Sequence, residues 1–137
     1  AMMGEAVVFS GMKAPKYFFT NVKRHGALLA KGRMLGIQFD TLFTDQLYFK
    51  VSRHAMTMAT CLRSIFQKHG IAIAYDSPTN QQFVILSPTL YDALSKKVAF
   101  EIWERKSDTE IICRFVTSWA TKEEELDELD HILQTLK

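Results

Sequence analysis

Arg114 stands inside Ile111-Ile-Cys-Arg-Phe-Val-Thr-Ser-Trp119, a run made of strand-forming residue types. Strand alternation turns Ile112, Arg114 and Val116 one way and Cys113, Phe115 and Thr117 the other. An arginine flanked by apolar β residues is partly desolvated, and its planar fork of donors suits a carboxylate or a phosphate. Two readings stay open: an arginine that binds an anionic ligand, or an edge-strand arginine that reaches solvent or an internal Asp or Glu. A second cationic feature runs from Lys13 to Arg33, where Lys13, Lys16, Lys23, Arg24, Lys31 and Arg33 meet no acidic residue. It reads either as a solvated helix face or as an anion site near Lys23 and Arg24.

Other chemistries find little support. His54 and His69 are too far apart to share a helical turn. HExxH, a Cys/His quartet, GxGxxG, a phosphate-binding GxxxxGK loop and GxSxG are all missing. Nothing favours a Ser/His/Asp triad. Cys61 and Cys113 form no CxxC and sit in apolar-periodic stretches, as reduced buried thiols do. The 137 residues carry a net charge of +2, with 47% hydrophobic and 23% charged residues. That composition excludes disordered, collagenous and disulfide-scaffold chains. No apolar run approaches the roughly 20 residues of a membrane span, and no signal peptide is visible. The expected setting is cytoplasmic, without membrane or nucleic-acid partners. The small net charge hides an asymmetry: residues 1–70 carry +7 and residues 71–137 carry −5.

Elements must position these side chains. Glu5-Ala-Val-Val-Phe9 reads as a strand that has lost its sheet neighbours, ended by Gly11. Pro15 suits a helix start, and the pattern from Tyr17 to about Phe43 predicts one long helix, with Gly26, Gly32 and Gly36 allowing close approach of a neighbour. Asp45 is a candidate N-cap for a helix over Gln46–His69 closed by Gly70, with an apolar stripe of Leu47, Val51, Ala55, Met58, Leu62 and Ile65. Strands are expected at 71–75, 83–86, 100–103 and 111–116, with a turn at 76–80, a turn at 106–108 and a short helix over 88–97. A last helix spans 121–136, started by a Thr121/Glu124 capping box with Glu123, Glu124 and Glu125 at its positive end.

Four segments, in collinear order, resemble low-specificity L-threonine aldolases: Gly4-Glu-Ala-Val-Val-Phe9; Arg24-His-Gly-Ala-Leu-Leu-Ala-Lys-Gly-Arg-Met-Leu-Gly-Ile-Gln-Phe39; Asp76-Ser-Pro-Thr-Asn-Gln-Gln-Phe83; and Arg114-Phe-Val-Thr-Ser-Trp-Ala-Thr121. These enzymes belong to the β-eliminating lyase group of fold type I pyridoxal 5'-phosphate enzymes. The resemblance implies the family's C-terminal portion. The expected fold is α/β (α+β): a small, mostly antiparallel sheet covered by helices, preceded by an orphan strand and a long interface helix. Residues 1–43 would end the large cofactor domain, and residues 44–137 would form the C-terminal small domain.

The resemblance implies cleavage of L-threonine or L-allo-threonine to glycine and acetaldehyde in a homo-oligomer, dimer or tetramer. Arg114 matches the arginine that binds the substrate α-carboxylate. Arg24 matches an arginine near the cofactor phosphate, contributed across a subunit interface, with Lys23 or Lys16 assisting. The family's Schiff-base lysine precedes the segment matching Gly4 to Phe9, where this sequence has no lysine. The chain alone is therefore expected to be inactive, with no catalytic residue of its own. A tyrosine- or tryptophan-type β-eliminating lyase and a non-catalytic interaction module are the alternatives.

Overall fold

A computed structural model describes residues 3–136. The chain divides into two compact units, Ala1–Tyr48 and Phe49–Lys137.

The second unit holds the sheet. Strands β1 (Gln81–Leu86), β2 (Glu101–Arg105) and β3 (Ile111–Val116) lie in the order β1-β3-β2, all antiparallel. The expected first strand at 71–75 shrinks to an isolated bridge, Ile73 to Val84. Two backbone bonds flank it, from Ala74 N–H to the Phe83 carbonyl and from Ile85 N–H to the Ala72 carbonyl. Helices α3 (Leu47–Lys68), α4 (Pro88–Leu94) and α5 (Glu123–Thr135) complete the fold.

Alternation decides which side of the sheet forms the core. Val84 and Leu86 pair with Cys113 and Ile111, and Gln82 pairs with Phe115; all six are buried. Against them pack Met58, Leu62 and Phe66 of α3, Leu94 of α4, and Leu126, Leu129 and Leu133 of α5. Of the stripe expected on α3, Ala55, Met58 and Leu62 are buried; Ala59 and Phe66 join them, while Leu47 is exposed. Phe66 is fully buried, with its ring edge-on to Phe115 at 4.8 Å.

The helix ends follow local chemistry. Gly70 adopts φ 74°, and Gly70 and Ile71 donate to the carbonyls of Gln67 and Phe66, closing α3 as its glycine predicts. Asp45 does not cap α3: it lies in a 3-10 turn (Thr44–Gln46) with φ 48°, away from the extended backbone an N-cap needs. The start of α5 also shifts. Lys122 N–H donates to the Glu125 carboxylate at 3.0 Å, while Thr121 Oγ1 accepts from Ser118 N–H. Ser87 caps α4 by accepting from Leu90 N–H, with Pro88 in the first turn. This helix stops at Leu94, short of the expected Lys97.

The first unit departs most from expectation. In place of one long helix there are α1 (Phe18–Arg24) and α2 (Arg33–Phe43). Gly26, with φ 71°, is the reason. Gly26 N–H bonds the Lys23 carbonyl and Ala27 N–H bonds the Val22 carbonyl, the same closure that Gly70 makes. Around Gly36 there is open space rather than a close neighbour. Residues 5–9 form no strand and join no sheet among the described residues. Neither α1 nor α2 contains a buried residue, and Val7, Val8, Phe19, Met34 and Ile37 are exposed.

Truncating Phe66→Ala should cost about 3–5 kcal/mol, because the ring joins α3 to β3 in a site with no solvent access. Urea unfolding followed by circular dichroism measures it; a loss under about 1 kcal/mol would show that this core is loosely packed.

Candidate functional site

Arg114 lies on β3, the central strand, so it is not an edge arginine. Its cross-strand neighbours are Phe83 on β1 and Glu101 on β2. Both strand pairings are hydrogen-bonded ladders, which fixes the Cα position more firmly than a loop would.

Three groups set the guanidinium. Nη2 donates to Glu101 Oε2 in an ion pair. Nη1 donates to Gln81 Oε1 at 3.2 Å. The guanidinium carbon lies 5.4 Å from the centre of the Trp103 ring, within cation–π range. Among the described residues nothing accepts from the buried Nε–H. The Arg114 side chain is 27% exposed and that of Glu101 is 68% exposed. The arginine is thus half-buried and its carboxylate partner is open to water.

Trp103 reaches this place through a register shift. Ile102 pairs with Cys113 and Glu104 with Ile112, which leaves Trp103 as the extra residue of a bulge. Bulges re-aim side chains in this way. The indole meets Phe83 edge-on at 5.2 Å, and Phe83 meets Tyr75 at 5.5 Å. Tyr75 Oη donates to Glu104 Oε2 at 3.3 Å, and desolvation, aided by Glu104, raises its phenol above the ordinary value.

The loop before β1 is tied down as well. Asn80 Nδ2 donates to the Thr117 carbonyl at 2.6 Å, and Thr117 N–H returns to the Asn80 carbonyl at 3.0 Å. Thr117 Oγ1 donates to the Ala55 carbonyl of α3 at 2.8 Å. Gln82 Nε2 donates to the Thr79 carbonyl at 2.9 Å. These bonds hold Gln81, and hence its amide, beside Arg114.

The other expected site residues belong to the first unit. Lys23 and Arg24 occupy the last turn of α1, where carbonyls rather than N–H groups point outward, so an anion there would rely on side-chain charge. Lys16 lies before α1, with its ammonium 4.9 Å from the centre of the Tyr17 ring. Lys23 and Arg24 are neighbours on one turn; Arg114 is in the other unit.

Sequence reading missed Glu101, Gln81 and Trp103. Alternation could have placed Glu101 and Gln81 on one face or the other, but the cross-strand register that joins them to Arg114 is a tertiary fact. It also missed a cluster where α3 meets α5. Lys68 Nζ contacts Asp130 Oδ2 at 2.6 Å, and His69 Nε2 contacts Asp130 Oδ1 at 2.7 Å. The Lys68 hydrogen bond, then that of His69, holds the Asp130 carboxyl below its ordinary 3.8. Cys113 is buried as read, and burial pushes its thiol up to about 11; Cys61 is exposed, contrary to the expectation of burial, because it falls off the core stripe of α3. Among the described residues no cluster of His, Cys, Asp and Glu is arranged to hold a metal ion. No helix among them is long and apolar enough to cross a membrane.

Three helices packed on one face of a three-stranded antiparallel sheet, with an anchored arginine on the other face, make the second unit a small α+β domain. No family model matches the chain, and no curated protein does. Among solved structures, the threonine aldolase of Leishmania major is similar at 37% sequence identity with a TM-score of 0.81. The match covers 86% of this chain and 34% of the Leishmania chain. Over the matched residues the chain is similar to a threonine aldolase in sequence and fold, and it spans about a third of the Leishmania enzyme's length.

A native Asp130 pKa below the unfolded value adds stability above about pH 4 that fades as pH falls through the lowered native value. Asp130→Asn should therefore be less stable than the parent at pH 7, with the gap closing as pH falls below about 4. Thermal melts across that range check this; a gap independent of pH would show that the carboxylate's charge does not matter.

Proposed function

We propose that this chain is the C-terminal part of a pyridoxal 5'-phosphate-dependent lyase that cleaves L-threonine or L-allo-threonine to glycine and acetaldehyde. The similarity to the Leishmania enzyme, at 37% identity over most of this chain, carries the reading. The site residues support it: Arg114 is held on a central strand, backed by Trp103, on the sheet face that its own helices leave open.

In this reading residues 1–43 end the cofactor domain and residues 44–137 form the small domain. Arg24 and Lys23, with Lys16 in support, meet the cofactor phosphate through side-chain charge, consistent with a segment from Lys13 to Arg33 that contains no acidic residue. The cofactor, when bound, supplies an electron sink for the breaking Cα–Cβ bond. Arg114 takes the substrate α-carboxylate and orients the amino acid, so its contribution is positioning. The exposed apolar side chains of 5–43 fit a surface covered in a homo-oligomer, in a cytoplasmic setting.

Replacing Arg114→Lys in the complete enzyme keeps the charge but removes the planar fork. Charge-assisted hydrogen bonds contribute about 1.5–3 kcal/mol, so KM for L-threonine should rise roughly 10- to 100-fold. An acetaldehyde-release assay measures it, with the 137-residue chain alone expected to be inactive. An unchanged KM would remove Arg114 from the substrate site.

A further inference from the structure

Resting on the reading of Arg114 as the carboxylate-binding arginine, we infer that Trp103 is a positioning residue for the reaction: the face of its indole sets the tilt of the guanidinium that holds the substrate carboxylate.

The donors of a guanidinium lie in its own plane. Glu101 on Nη2 and Gln81 on Nη1 therefore fix where those two nitrogens point. A planar group held at two points still tips about the line that joins them. Only a contact outside the plane stops the tipping, and Trp103 supplies it. The guanidinium carbon lies over the indole, 5.4 Å from the ring centre, where the negative face of the ring attracts a cation. A carboxylate taken by two parallel N–H groups is sensitive to that tilt, because hydrogen bonds weaken steeply as they bend.

The indole is itself braced. It meets Phe83 edge-on at 5.2 Å, and Phe83 meets Tyr75 at 5.5 Å. Tyr75 Oη then bonds Glu104, the residue after Trp103 on β2, so the contacts close a loop that begins and ends on one strand. Phe83 is also the cross-strand partner of Arg114, which puts brace and guanidinium in one register. Trp103 is no member of the buried core and is 53% exposed, so its packing serves the arginine rather than the interior.

The test uses the complete enzyme. Trp103→Leu keeps apolar bulk beside Phe83 but removes the π face, so KM for L-threonine should rise about 3- to 10-fold, with the change on KM rather than kcat. Trp103→Phe restores an aromatic face and should recover most of that loss. Trp103→Met serves in place of the leucine variant if that one folds poorly. In an Arg114→Gln background no cation remains over the ring, and Trp103→Leu should then change kcat/KM less than about twofold, whereas a merely bulk-filling role would lower it there as well. An unchanged KM in Trp103→Leu, or an undiminished loss in the Arg114→Gln background, beside an Arg114→Lys enzyme that does lose affinity, would overturn this inference alone. An Arg114→Lys enzyme with unchanged KM would overturn the underlying reading and this one together.

Discussion

The second unit depends on β3 being paired along both of its edges. A strand with two ladders cannot slip or roll, so its side chains are committed to opposite faces over its whole length. Ile111, Cys113 and Phe115 are driven into the core, where α3, α4 and α5 remove them from water. Arg114 is committed to the other face by the same constraint. Its place on that face is therefore a consequence of hydrophobic burial one residue to either side, at Cys113 and Phe115. The Thr117 hydroxyl, bonded to the Ala55 carbonyl, ties the end of this strand to α3 and passes the order of the core to the loop beside Gln81.

A cation in that position needs company. Partly removed from water, the guanidinium is satisfied by a carboxylate on one neighbouring strand, an amide on the other and an aromatic face brought over by a bulge. Glu101 and Trp103 come from β2 and Gln81 from β1, and none is adjacent to Arg114 in sequence. The arrangement keeps the charge in a fixed orientation, with the buried Nε–H unpartnered among the described residues. The cluster of Lys68, His69 and Asp130 serves a different end, joining the last turn of α3 to α5 at the far side of the sheet's core.

Much of the fold was legible in the sequence. β1, β3, α3 and α5 lie near their expected places because each has a strong period and clear end signals, as at Gly70. The failures have physical causes. The long helix over 17–43 splits because Gly26 was read as a packing residue, although it sits in the same closing motif as Gly70. Residues 5–9 have a strand's composition and no strand's partner, and pairing cannot be read from one segment. Asp45 and Thr121 have the right side chains for caps, but their neighbours' backbone angles and bonds place the caps elsewhere. Cys61 lies next to a core position on α3 and was counted with it, yet a helix turns about 100° per residue and carries it to the surface.

Sequence by itself determined that Arg114 would sit among apolar strand residues, that Lys23 and Arg24 would lie in a basic segment, and that four segments would resemble threonine aldolases. Those facts depend on residue type and on spacing along the chain, which local geometry translates directly. Tertiary structure alone decided which residues meet Arg114. Glu101, Gln81 and Trp103 reach it through the register of two strand pairs and a one-residue bulge. Register is set by which faces the core buries and by how loops close, and those are properties of the assembled sheet rather than of any one strand.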